Sequence, residues 1–309
     1  MKKNGIVQKP QYGEVDLDCA LNKPGCGKDL RPAEKYSKSA VMWLRACIYG
    51  SFLLAVFVFI ARLHAEPVPV RHPQGSAHGF VALKTMDGRR IATGDMTQAV
   101  QGDRVTSRLT FRFRDGSVDD DTTVFSQRGT FRLISDHHIQ RGPSFPKPID
   151  ILIDASTGRV TSRSKDGSTR LEHLDLPTDI SNGLPPNLLM NISPSIPETR
   201  LSFVAPTEKP RLIKVSVKPA GELDFSIGGT PRKATHFVLH VELGGIAGVI
   251  APIIGKQPPD SHIWILGGSS PAFIREEGEL YEGGPIWRIE QISPDFTSEP
   301  DMKKAATHK

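Results

Sequence analysis

Along the chain, Val105, Ser107, Leu109, Phe111 and Phe113 alternate with Thr106, Arg108, Thr110 and Arg112. A period of two places one set of side chains in a core and the other in water, as in a half-buried strand. Asp115-Gly116 follows at once, and the same dipeptide recurs at Asp87-Gly88 and Asp166-Gly167. Aspartate followed by glycine supplies the positive φ that tight hairpin turns demand. With Gly102-Asp103 and Thr157-Gly158 as further turns, the rhythm predicts an antiparallel meander. More strands are expected at Leu212–Val217, Leu223–Ile227, Lys233–Leu243, His262–Leu266 and Ile286–Ile292.

Residues 175–210 interrupt this rhythm with seven prolines. One short helix is expected from Pro186 to Asn191, because proline suits a first helical turn. The rest of the segment crosses between two strand blocks, 78–174 and 200–293. Neither block alone offers much core, so residues 66–296 are expected to form one continuous sheet rather than two small domains. Residues 297–309 are polar and lysine-rich, the composition of a frayed tail. The predicted fold class is mainly β: a curved antiparallel sheet, partly wrapped or a half-barrel, with one or two short helices. An N-terminal hydrophobic signal or anchor helix precedes it.

That leader begins at Met42. Arg45 precedes sixteen uncharged residues, Ala46 to Ala61, followed by Arg62, Leu63, His64, Ala65 and Glu66. The order is that of a secretory signal peptide cut after Ala65. The alternative is a single membrane anchor through residues 46–61, although about 20 residues are usual for a span. Both readings place Lys35, Lys38 and Arg45 inside and the body outside, in the periplasm or at the cell exterior. A signal peptide starts close to its charged flank, so residues 1–41 read either as an untranslated leader or as a disordered cytoplasmic tail.

Charge changes the picture in one respect. The pI near 9.1 suggests nucleic acid, but the whole excess lies in residues 1–65, with ten Lys/Arg and five Asp/Glu. The neutral body gives no electrostatic reason to expect nucleic acid. Cys19, Cys26 and Cys47 also lie within residues 1–65, so the body has no thiol. Disulfides and thiolate catalysis are therefore excluded there, and a cysteine-free body suits an oxidising compartment. The leader, the Asp-Gly hairpin rhythm and the apolar insert at 246–254 together resemble the periplasmic lipoprotein-carrier class of folds. They are also similar to several uncharacterised secreted bacterial β-rich families. The resemblance implies an exported envelope protein with a concave sheet and assigns no catalytic residue.

The glycines of His240–Asp260 do not form a phosphate loop. A P-loop needs glycine at 250 and a hydroxyl at 257, where Ile250 and Gln257 stand, and a dinucleotide turn needs glycine where Leu243 stands. The apolar run Ile246–Ile254 is too short to span a membrane and is interrupted by Pro252. It reads as core packed on the sheet, or as a lid whose Ile246, Val249, Ile250, Ile253 and Ile254 line a pocket for a lipophilic molecule or partner chain. His236 and His240 would pair on a helix, but strand alternation sets them about 13 Å apart, too far to share a metal. With Val238 and Glu242 they belong to a solvated strand face. His137 falls in phase with Phe131, Leu133 and Ile139, which suggests a packed core histidine. Asp119-Asp120-Asp121 lacks the ligand spacing of a calcium loop and reads as a solvated turn. Glu276, Glu277, Glu279 and Glu282 surround a glycine-rich turn and read as an acidic solvated turn.

A polar-site alternative lies in the crossing, with Asp179 and Asn182, and beside it in His173 and Asp175. Asn187 and Asn191 there are expected to cap turns. No cofactor and no metal is expected. The functional expectation is a non-enzymatic envelope domain binding a lipophilic ligand or an envelope protein. The alternatives are an envelope hydrolase using His137, His173, Asp175 or Glu277, and a structural assembly subunit.

Overall fold

The computed structural model describes residues 67–207, 209–227, 229–242 and 257–292. The apolar leader at 42–65, the insert Ile246–Ile254 and the tail at 297–309 lie outside these residues. Among the described residues, no helix is long and apolar enough to cross a membrane.

The strands are β1 (Ala77–Thr85), β2 (Arg90–Gln101), β3 (Arg104–Phe113), β4 (Val118–Ser126), β5 (Arg132–Arg141), β6 (Ile149–Asp154), β7 (Arg159–Arg163) and β8 (Thr169–His173). After the crossing come β9 (Thr199–Ala205), β10 (Arg211–Ile227), β11 (Thr230–Glu242), β12 (Ser261–Leu266), β13 (Ala272–Glu279) and β14 (Ile286–Ile292). All fourteen form one antiparallel sheet in the order β8-β7-β6-β5-β4-β3-β2-β1-β14-β13-β12-β11-β10-β9. Two sequential meanders are thus joined side by side through β1 and β14, with Phe80 opposite Ile292 and Thr85 opposite Trp287. The sheet is not closed; β8 and β9 are its two ends.

Local chemistry accounts for these elements. Gly88, Gly116 and Gly167 take φ of 90°, 84° and 84° in the Asp-Gly turns, a region closed to most other residues. On β3, Val105, Phe111 and Phe113 are buried while Thr106, Arg108 and Arg112 are exposed, as the alternation requires. The two strands expected at 212–217 and 223–227 are instead one, β10. A bulge between Pro219 and Glu222 joins them. The pairing with β9 has already ended at Val217, so the missing N–H of Pro219 breaks no ladder on that side.

The crossing carries α1 (Pro185–Leu189), one residue earlier than expected, with proline in its first turn. Leu184, Leu188 and Leu189 enter the same core cluster as Phe111 and Phe125 from one meander and Phe237 and Ile263 from the other. Asn191 fixes the chain around the helix. Its Oδ1 accepts the N–H groups of Arg71 and His72 at 2.8 and 2.7 Å, and its Nδ2 donates to the Asn187 carbonyl at 2.8 Å.

Contacts of the crossing show that the sheet rolls. β4 and β9 stand nine places apart in the order, about 40 Å in a flat sheet. Yet Asp179 accepts a hydrogen bond from Ser202 on β9, and Gly183, four residues on, abuts Thr123 on β4 and Asp136 on β5. The two meanders therefore curl toward each other around residues 179–192. Apolar side chains from both inner faces and from α1 share one core.

Candidate functional site

Among the described residues, the densest set of titratable groups lies on the inner face of β4 and β5. Asp119, Asp120 and Asp121 do not form a solvated turn; they belong to β4. Alternation sends Asp120 outward, where Arg108 grips it with Nε to Oδ1 at 2.8 Å and Nη2 to Oδ2 at 2.5 Å. Asp119, Asp121 and Thr123 turn inward. Opposite them stand Gln140, His138 and Asp136.

His137 does not take the core position expected of it. Ser135 pairs with Val124 but Leu133 with Phe125, so Ile134 is one extra residue that reverses the phase of the strand. His138 consequently faces inward, and His137 lies on the outer face, 2.9 Å from Asp150. No glycine or proline marks this bulge in the sequence, so alternation alone assigned the wrong histidine.

Inside, His138 Nε2 lies 2.7 Å from Asp119 Oδ1. Gln140 Nε2 donates to the Leu280 carbonyl at 2.7 Å and more weakly to Asp119 Oδ2 at 3.4 Å, tying β5 to the turn after β13. Thr123 Oγ1 donates to Asp136 Oδ1 at 3.0 Å. Burial pushes the carboxyls of Asp121 and Asp136 up, and the charge of Asp136 raises Asp121 further. Asp121 Oδ1 is buried with no hydrogen-bond partner. Burial opposes charge on His138, but the Asp119 hydrogen bond and the three surrounding carboxylates override it and raise the imidazole to about 9. The cluster at neutral pH is thus an imidazolium among carboxyls, with a proton favoured on Asp121.

Gly183 packs against one end of this cluster, at Thr123 and Asp136. At φ 65° its backbone lies so close that a Cβ would collide with Thr123 Oγ1 and stand 2.8 Å from Asp136 Oδ1. No substrate atom fits where a methyl group does not. Among the described residues, no group of His, Cys, Asp and Glu is arranged to hold a metal. A separate acid, Glu276, stands half-buried on the inner face of β13 between Ile263 and Ile289 in register, and loss of hydration lifts it to about 7. It is not part of a solvated turn. Its lone apolar setting was hidden in the sequence by three neighbouring glutamates.

The outer face carries a cross-strand ladder. His236 stacks on Trp264 at 4.6 Å and 7°, and its Nε2 lies 2.9 Å from His262 Nδ1. Arg275 lies over Trp264 at 5.7 Å and pairs with Glu290 at 3.1 Å. Glu277 accepts from Arg288 at 2.8 Å. His240 pairs with Asp260 at 2.7 Å. His236 and His240 thus each have a separate partner, as strand spacing implies.

The residues of the polar-site alternative separate into two pairs. Asp179 and Asn182 pin the crossing to β9. Lys214 Nζ donates to Ser202 Oγ at 2.5 Å and lies 3.7 Å from Asp179 Oδ2. The Asn182 amide brackets Val204 with bonds of 2.9 and 3.0 Å. His173 and Asp175 lie at the other end of the sheet, exposed, with His173 opposite Arg159. An open groove of about 590 Å³ lies at the end of the β5–β6 hairpin, beneath residues 142–148. Nothing in the hydrophobic pattern marks it, because loop residues build much of it.

No family model matches the chain, and no curated protein matches it. Among solved structures, it is similar to a β-barrel-like protein of the domain of unknown function DUF1849 from Brucella abortus. The identity is 11%, covering 75% of this chain and 99% of that one, with a TM-score of 0.40. That protein is β-barrel-like; nothing in the comparisons bears out the lipoprotein-carrier resemblance.

Proposed function

We propose that the chain is a non-enzymatic, exported domain of the bacterial envelope, a half-barrel that binds an apolar ligand or a partner protein. One observation carries this reading: the groups suited to chemistry are already engaged, and those named for a hydrolase do not converge. On the inner face His138 is held by Asp119 and Asp136 by Thr123, and the backbone of Gly183 crowds the Thr123–Asp136 pair. His137 is held by Asp150 on the outer face of β5, Glu277 by Arg288 on the outer face of β13, and His173 stands at an end strand. A hydrolase needs its base, acid and nucleophile within hydrogen-bond reach of one reacting atom.

The apolar run 46–61 and the cysteine-free body support export, with the run serving as signal or as anchor. Ile246, Val249, Ile250, Ile253 and Ile254 remain the proposed apolar wall at the mouth of the sheet. Two experiments test the proposal. Deleting residues 246–254 is expected to abolish ligand or partner capture while the sheet stays folded; a chain that simply unfolds assigns the segment to the core. Hydrolysis of ester, glycoside or peptide substrates by the purified protein, lost on His173→Ala, would overturn the non-enzymatic reading.

A further inference from the structure

We infer that the groove at the end of the β5–β6 hairpin is a site for an anionic amphiphile: a hydrocarbon chain ending in a phosphate or carboxylate. The inference rests on the binding reading above and names the ligand class. Its volume of about 590 Å³ falls within the ~300–1,000 Å³ usual for small-molecule sites. Part of the lining is apolar and stiff, built of Phe145, Pro146, Pro148 and Ile149. Three prolines in 143–148 restrict the loop, so little conformational entropy is lost when a ligand settles on it. Phe145 is itself braced from beneath by Phe113 and Tyr281, at ring distances of 5.3 and 5.7 Å.

The lining also carries Arg141 from the end of β5 and Arg163 and Lys165 from the end of β7, against the single acid Asp150. Asp150 is already shared between His137 at 2.9 Å and Arg163 at 3.8 Å. The body as a whole is neutral, so this local cationic excess is a feature of the groove and not of the background. Two leucines are exposed on the outer face nearby. Leu152 lies two residues beyond Asp150 and is opposite Thr161, which is opposite Leu171. Both leucines are exposed, at 41% and 62%. Cations and an apolar wall in one groove match a charged head and its tail. They do not match a free anion or an uncharged hydrocarbon.

The test is calorimetric titration of the full-length protein with decyl phosphate, decyl maltoside and inorganic phosphate, each below its aggregation limit. Decyl phosphate is expected to bind at least about tenfold more tightly than either comparison probe. The advantage should shrink at high salt, because exposed charges are screened. Arg163→Glu with Lys165→Glu should remove it, and Arg163→Gln with Lys165→Gln, which adds no acid, should remove most of it. Equal binding of the two decyl compounds overturns the anionic head but leaves the apolar-ligand reading standing. Inorganic phosphate binding as well as decyl phosphate overturns the tail. A preference that survives both double variants places the head elsewhere and overturns the site. Binding of no decyl compound overturns the inference outright; the wider reading then stands or falls on what accompanies the native protein.

Discussion

Replacing Glu276 with glutamine removes one ionisable proton from the inner face of β13 and changes little else in shape. Loss of hydration raises this carboxyl from 4.5 to about 7. Below pH 4.5 the folded and unfolded chains both carry its proton. Between 4.5 and about 7 only the folded chain keeps it, so each rising pH unit lowers stability by about 1.4 kcal/mol. Above about 7 both states have lost it, and the accumulated loss is about 3 kcal/mol. Glutamine mimics the protonated form at every pH. Urea unfolding followed by far-UV circular dichroism should therefore find the variant more stable than the native chain by about 3 kcal/mol at pH 8, and by under about 1 kcal/mol at pH 5. His138 titrates in both proteins and cancels in the difference. A difference that is the same at the two pH values would show that Glu276 is not buried as an acid, and the reasoning would fail.

His138→Gln leaves Asp119 without its charged partner, a loss on the order of 3 kcal/mol for a buried pair. Because the imidazole is raised from 6.5 to about 9, its contribution is complete below pH 6.5 and fades as pH rises through 9. The variant's deficit in urea unfolding should accordingly be larger at pH 6 than at pH 9.5. Gly183→Ala forces a methyl group onto Thr123 and Asp136 at a positive φ, and should cost roughly 1–3 kcal/mol. Adding Thr123→Ala should recover part of that loss; no recovery would show that the strain, and not the contact, dominates. Leu189→Ala should destabilise by about 2–5 kcal/mol, which a fall in thermal midpoint would register, since α1 shares the core of both meanders.

Much of the sheet was legible because period-two alternation and Asp-Gly turns are local signals. Val105 to Phe113 and the turns at Gly88, Gly116 and Gly167 are formed as their residues suggest. The inner cluster was not legible for a physical reason. Three consecutive aspartates look solvated in sequence, and only the rolling of the sheet, fixed by contacts between Asp179, Gly183 and distant strands, encloses two of them. The bulge at Ile134 had no local marker, so the phase of His137 and His138 was reversed. Glu276 was lost among its neighbours for a related reason: its isolation depends on Ile263 and Ile289, which come from other strands. Pairings across the sheet, not composition, decide which polar residue is buried.

The central claim is that the domain binds rather than catalyses, and native mass spectrometry of the protein isolated from its own membranes tests it most directly. The account predicts a discrete added mass, either a lipophilic small molecule or a partner chain, released when the protein unfolds. A protein that carries nothing, or forms only stable oligomers of itself without any bound molecule, would contradict it.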